Sequence, residues 1–412
     1  MIRRFSLMAF TFWRRILPAL AGILCVTGVF GASDGGTPPA NVDALLQGVA
    51  ERAKIPGMVA VVLRGDRIVA QGAAGVRRKG GAERVTLDDQ FQIGSCTKAM
   101  TATLAAMLIE QGKLDWDSTL GGLFGDVVAE MDPAWRTVSL RQVMAHRAGL
   151  TDHSLLMVRS FLLAKGVFVE QRRRYVASML SKAPDYAPGS RFVYSSSDYV
   201  LLGSALEKVT GIPWEALMRE RLFRPLGMAS AGFGPPGIAG AVDEPWGHGP
   251  RRLLYLFMPG DDDVAFDPGR KDADYPLVYG PAGSVHVSVI DWAKFVSFQL
   301  LGDPSNPHRR TSLLSADSFA KLHLPAPGES YCGGWFIDRK PWARGPRQGD
   351  TGRVFYHQGD NGRWNCVTWV APEIDFAVLV ACNRARMWGP VDNAASELVH
   401  AYSRDKGPGP GG

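Results

Sequence analysis

The spacing of apolar residues changes period twice along this 412-residue chain. Val42, Leu45, Leu46, Val49 and Ala53 recur at the three-to-four-residue interval of one helix face, with Asn41 placed to cap it and Pro56-Gly57 placed to end it. The unbroken apolar run 58–63, the turn at Gly65-Asp66 and the segment 67–70 then predict a β-hairpin. From Thr97 to about Leu226 the helical period dominates, with Gly and Pro in the connections. Strand-like runs return at 334–337, 354–357, 364–370 and 376–381, and a last helix starts near Val391-Asp392. Strands at both ends with helices between them predict an α/β (α+β) fold: an antiparallel sheet flanked by helices, with a mainly helical region of about 97–280 inserted. A pocket is expected in the groove between sheet and helical region.

The ends of the chain read differently. Arg3, Arg4, Arg14 and Arg15 precede an uncharged apolar run at 16–32, so residues 1–32 are expected to be a signal peptide or an N-terminal anchor. Either role sends the remainder out of the cytoplasm, to the periplasm or the extracellular space. Residues 33–40 read as a Gly/Pro linker, 41–400 as the folded domain and 401–412 as a flexible tail.

Without those four arginines the formal charge of +6 falls to +2, which removes the case for a nucleic-acid partner. The run 172–174 is three arginines and reads as a solvated helix face. A membrane partner is expected only if the N-terminal segment is retained. Cys366 and Cys382 flank a turn at 372–375, where paired strands admit a disulfide; buried thiols fit equally. No metal-ligand spacing is present and no cofactor is expected.

Ser95-Cys96-Thr97-Lys98 opens the helical run that ends at Gly112. A hydroxyl is a poor nucleophile until a base takes its proton, and residues three apart share one helix face, so Lys98 is the candidate partner of Ser95. Ser318-Phe319-Ala320-Lys321 repeats the spacing, but Ser315 and Pro325 mark that copy as a short capped surface helix. A Gly-x-Ser-x-Gly match at 31–35 lacks the strand before it and the helix after it that a nucleophile elbow requires. Downstream, Tyr194-Ser195-Ser196 leads into a helical run, and His357-Gln358-Gly359 ends a late strand.

Ser-x-x-Lys, Tyr-x-Ser and His-x-Gly, in this order and at these spacings, resemble the β-lactamase-related serine hydrolases of class C type. That group includes class C β-lactamases, DD-peptidases, D-aminopeptidases, esterases and amide hydrolases. The stretches 138–150 and 281–286 support the resemblance, which covers roughly residues 41–400. It implies Ser95 as nucleophile, Lys98 as base or proton relay, and Tyr194 as second general base. It also implies an oxyanion hole from the backbone N–H groups of Ser95 and Asp360, and substrate contacts at Ser196, His357, Gly359 and Asp360. A helix N-terminus suits developing negative charge, and burial lowers a lysine pKa toward neutrality.

Two departures shape the expected substrate. Many relatives carry asparagine where this chain has Ser196, and a hydroxyl makes fewer bonds to an acyl side chain. β-Lactamases proper carry Lys-Thr-Gly where this chain has 357–359, so a fixed cation is replaced by a histidine charged only part of the time. Arg353 and Arg363 are the candidates to replace it.

The expected function is therefore a secreted serine hydrolase that opens a small-molecule ester, amide or peptide through an acyl-enzyme. The alternatives are a β-lactamase or D-alanyl peptidase proper, and a non-catalytic penicillin-recognition or sensor module. His146 reads as structural, tying backbone carbonyls. His153, His248 and His286, and Trp335, Trp364 and Trp388, are possible groove residues without assigned chemistry.

Overall fold

The computed structural model describes residues 39–152, 167–250 and 263–403. The expected N-terminal segment, residues 33–38 of the linker, His153 and most of the tail lie outside the described residues. Ala40, expected in the linker, instead begins strand β1 (Ala40–Asn41), which pairs in parallel with β3 (Arg67–Gly75).

Helix α1 (Asp43–Ala53) precedes the hairpin of β2 (Gly57–Arg64) and β3 (Arg67–Gly75). Asn41 accepts the Asp43 N–H at 2.7 Å, one residue earlier than a standard cap, since Val42 holds the cap position. Late in the chain come β9 (Tyr331–Cys332), β10 (Trp335–Arg339), β11 (Arg353–Asp360), β12 (Asn365–Ala371) and β13 (Phe376–Cys382). These join the first three strands in one eight-stranded sheet of order β1-β3-β2-β13-β12-β11-β10-β9, antiparallel except at β1. Met58, Ala60 and Val62 of β2 face one side, and Val59, Val61 and Leu63 the other. All six are inaccessible to solvent, which is why the run shows no polar alternation. Fully burying a Val, Leu or Met side chain is worth about 1.5–3 kcal/mol, so this strand anchors both layers.

Helices α1 and α11 (Trp388–Tyr402) cover one face. The other face carries α9 (Val289–Gly302) and the inserted helical region, whose centre is α2 (Thr97–Glu110). Every residue of α2 from Thr97 to Leu108 is buried. Around it stand α3 (Leu120–Phe124), α4 (Leu140–Met144), α5 (Phe168–Leu180), α6 (Ser196–Thr210), α7 (Trp214–Met218) and α8 (Gly280–Gly283).

The inserted region is not wholly helical. A three-stranded sheet of β4 (Gln90–Gln92), β8 (Val285–Ser288) and β5 (Gly232–Phe233) lies at its base, and β6 (Gly247–Pro250) pairs with β7 (Asp263–Phe266). Strands of two to four residues are too short to show a period. The sheet matters because β4 delivers the chain directly to Ser95.

Candidate active site

Ser95 lies in a single 3-10 turn, Gly94–Cys96, between β4 and α2. Gln92 fixes this turn from both directions: its Oε1 accepts the Gly94 N–H at 2.7 Å and its Nε2 donates to the Gly283 carbonyl at 2.6 Å. Gly94 has φ +49°, and a Cβ there would stand 2.6 Å from the Asp360 backbone nitrogen. Only glycine therefore lets the end of β11 close against the serine turn. Gly359 plays a matching part, since a Cβ on it would drive into the Ile93 carbonyl. It shapes the site from behind and does not line the cleft.

Lys98, in the first turn of α2, is fully buried, with Nζ 3.0 Å from Ser95 Oγ and 2.9 Å from the Ala282 carbonyl oxygen. Burial lowers its pKa to about 8, against the opposing influence of Asp152, Cys96 and Asp198. About a tenth of the amine is therefore neutral at pH 7 and about half at pH 8, and a neutral amine 3.0 Å from a hydroxyl can take its proton. The 281–286 stretch supplies the Ala282 acceptor, and Thr97 and Thr101 tie α2 to the same segment.

Tyr194 reaches the site from the loop before α6. Its ring centre is 4.8 Å from Lys98 Nζ, and it packs against His146, Tyr331 and Phe336. Burial raises the phenol pKa further above its usual value, while contact with Ser95 pulls the other way. The phenol thus holds its proton at neutral pH and is placed to pass one on, which differs from a base that starts ionised.

His357 on β11 is buried, donates from Nδ1 to the Gln358 carbonyl at 2.6 Å and faces the Tyr331 hydroxyl at 3.3 Å through Nε2. Burial, then the nearby Lys98, lowers its pKa to about 3, so it is neutral throughout the physiological range rather than part-time charged. Arg353 does not replace the missing cation: it pairs with Asp303 at 2.6 Å and does not line the cleft. Arg363 does line the cleft, but its guanidinium lies 3.6 Å over the Phe266 ring and donates to the Gly362 and Asp272 carbonyls.

The cleft has a volume of about 610 Å³ and is lined by Ser95, Tyr194, Ser196, His357 and Asp360. It sits in the groove between sheet and helical region. Asp152, Asp274, Tyr275, Arg386 and Trp388 also line it, and the pattern of the chain had not singled out these residues except Trp388. Tyr275 and Trp388 are 45% and 41% exposed and form an aromatic rim. Asp274 accepts from Gln92 and Asn361, and burial raises its pKa to about 7. Asp152 accepts the Ser196 N–H at 2.5 Å. Arg386, at φ +61°, is held by its own N–H to Asp360 Oδ2 at 2.6 Å, which leaves its guanidinium at the cleft.

Several expectations are corrected. His146 does not tie backbone carbonyls: its Nδ1 faces the Asp198 carboxylate at 2.8 Å and the Ser195 N–H at 3.3 Å, all of them buried. Trp335 and Trp364 are core residues, while His248 and His286 bond the Asn383 and Gly234 carbonyls away from the cleft. Arg172 is not solvated; it is fully buried and paired with Glu207 and Glu215, whereas Arg173 and Arg174 are exposed. Cys366 and Cys382 form no disulfide, because the strand register pairs Cys366 with Ala381 and Cys382 with Asn365. The two thiols thus point to opposite faces of the sheet, and Cys366 Sγ instead meets Cys96 Sγ at 3.6 Å. Ser318 and Lys321 do lie on a short capped helix, α10 (Ala316–His323), with Lys321 paired to Asp317, but Ser318 is not a surface serine: it is buried and donates to Glu110 at 2.5 Å.

A serine at a helix start, a buried lysine one turn on and a tyrosine facing both define a serine-hydrolase type of site on an α/β fold. A family model described as Beta-lactamase matches residues 42–401, and the chain belongs to that family of hydrolases. Penicillin-binding protein 4 of Amycolatopsis lactamdurans is 33% identical over 66% of this chain and 66% of its own length. The chain spans under half the length of several other curated relatives. Among solved structures, EstCE1, a hydrolase with promiscuous acyltransferase activity, superposes with a TM-score of 0.67 at 20% identity, over 86% of this chain and 97% of that one. D-amino acid amidase from Ochrobactrum anthropi SV3 gives 0.66 at 20% identity, over 87% and 97%. These two likenesses concern the fold.

Proposed function

We propose that the protein is an exported serine hydrolase that opens short esters or small amides through an acyl-enzyme on Ser95. The observation that carries this reading is the buried Lys98 amine 3.0 Å from Ser95 Oγ, with its pKa lowered to about 8. Neutral Lys98 takes the serine proton as Oγ attacks the carbonyl carbon. The N–H groups of Ser95 and Asp360 receive the developing oxyanion. The proton passes by way of Tyr194 to the leaving alcohol or amine, and water then attacks the acyl-enzyme by the reverse route.

Small substrates are favoured over β-lactams because His357 supplies no charge where β-lactamases proper hold a lysine. Export rests on the pattern of residues 1–32 alone. The test is a panel of p-nitrophenyl esters, a chromogenic cephalosporin and D-alanyl peptides. Short-chain ester turnover is expected to exceed cephalosporin turnover; the reverse ranking overturns the substrate assignment.

A further inference from the structure

The two backbone N–H groups assigned to the oxyanion belong to segments remote in sequence, the turn Gly94–Cys96 and the end of β11. Gly94 and Gly359 let these segments touch, but small residues set only how closely they approach and not how one slides along the other. Their alignment needs directional contacts. On the serine side Gln92 supplies one, with its Oε1 on the Gly94 N–H. On the other side stands Asn361, the residue after Asp360. It is 4% exposed, and its Oδ1 accepts the Arg363 and Trp364 N–H groups at 3.1 and 3.0 Å, which closes the turn into β12.

The Asp274 carboxylate joins these two side chains. Its Oδ1 accepts from Asn361 Nδ2 at 2.7 Å, and Gln92 Nε2 donates across both carboxylate oxygens at 3.1 Å. The adjacent Tyr275 N–H gives Oδ1 a further bond at 2.7 Å. Gln92 Nε2 also donates to the Gly283 carbonyl at 2.6 Å, so residues 92–94, 274–275, 283 and 360–361 are bonded together through one carboxyl group and one amide. The nearby Arg363 guanidinium donates to the Gly362 and Asp272 carbonyls instead. N–H donors aimed at an ionised acceptor make charge-assisted bonds, stronger than neutral ones and correspondingly effective at fixing position.

We propose that Asp274 is a positioning residue for the hydrolysis: its carboxylate clamps Gln92 to Asn361 and thereby holds the Ser95 and Asp360 N–H groups at the separation a tetrahedral oxyanion needs. The proposal rests on the Ser95 acyl-enzyme and its oxyanion hole. Asp274 acts through its two amide partners, and its benefit is confined to species that carry the negative oxygen, the tetrahedral intermediates and their analogues.

The experiment compares wild type, Asp274→Asn, Asp274→Ala, Gln92→Ala and the Gln92→Ala/Asp274→Ala double variant at about pH 8.5, above the value of about 7 to which burial raises this carboxyl. Three quantities are read: kcat/KM for p-nitrophenyl acetate, the Ki of phenylboronic acid, which adds to Ser95 Oγ as a tetrahedral anion, and the melting temperature by circular dichroism. Asp274→Ala should lower kcat/KM and weaken boronate binding in parallel, each by about tenfold, short of the hundredfold or more that outright loss of an oxyanion donor costs. Asp274→Asn matches the native side chain in size and keeps the Asn361 and Tyr275 bonds at Oδ1, but sets its NH2 against Gln92 Nε2, donor against donor. It should fall between wild type and Asp274→Ala, and it carries the comparison if Asp274→Ala does not fold. In the Gln92→Ala background the clamp is already cut, so adding Asp274→Ala should cost less than a further twofold. A loss confined to melting temperature, with kcat/KM and boronate Ki unchanged, overturns the proposal, as do losses that multiply in full in the double variant. Fluorophosphonate labelling of wild-type Ser95 separates the two readings: labelling with these results overturns the role of Asp274 alone, and its absence overturns the Ser95 chemistry as well.

Discussion

Replacing Lys98 by methionine should abolish turnover and change stability in a pH-dependent way. In the unfolded chain this amine has a pKa near 10.5, and in the fold burial lowers it to about 8. At 1.36 kcal/mol per pKa unit, holding it buried opposes folding by about 3 kcal/mol below pH 8. Because the unfolded chain binds the extra proton between these two values, the penalty fades as pH rises from 8 toward 10.5. Methionine is of similar length and carries no charge, but it leaves Ser95 Oγ and the Ala282 carbonyl without their partner. At about 1 kcal/mol for each lost bond, Lys98→Met should still be about 1 kcal/mol more stable than wild type at pH 7. By pH 9.5 that balance should have moved against the variant by about 2 kcal/mol. Urea unfolding of both proteins at the two pH values, followed by circular dichroism, measures the difference. A variant-minus-wild-type difference that is flat with pH would refute the claim that a depressed lysine pKa is built into the fold. The same pKa should appear as a rise in wild-type kcat/KM through pH 8.

Three further outcomes follow from the geometry. Gly94→Ala should cut kcat by about a hundredfold or more, because the new Cβ meets the Asp360 backbone at the proposed oxyanion hole; unchanged ester kinetics would contradict that proposal. Arg386→Ala should raise KM about tenfold for D-alanyl peptides, whose leaving group bears a carboxylate, with a much smaller effect on p-nitrophenyl esters; equal effects on both would show that the guanidinium does not select charge. Denatured without reductant, the protein should alkylate at Cys96, Cys332, Cys366 and Cys382, and a peptide map with Cys366 joined to Cys382 would refute the strand register.

Much of the site was legible because local sequence carried it. Ser95 and Lys98 lie one turn apart across the start of one helix, the apolar run 58–63 could only be a doubly buried strand or a short helix, and the hairpin turn decided between them. The parts that were missed depend on contacts remote in sequence. Asp152 and Arg386 have no motif around them and acquire meaning only when the loop after α4 and the segment after β13 meet over Ser95. Arg172 looked solvated because its neighbours Arg173 and Arg174 are, and the period of α5 alone turns it inward toward Glu207 and Glu215. The cysteine pairing failed on a one-residue offset, which in a strand reverses the face. Gln92 is the instructive case: a polar residue in a three-residue strand gave no signal, yet it fixes the serine turn at both ends.

The central claim is that Ser95 forms the covalent bond to the acyl group. Intact-mass spectrometry after reaction with a fluorophosphonate, followed by peptide mapping, tests it directly. One adduct per chain is expected, on the peptide containing Ser95, with no adduct in Ser95→Ala. An adduct that maps elsewhere, or that persists in Ser95→Ala, would contradict it.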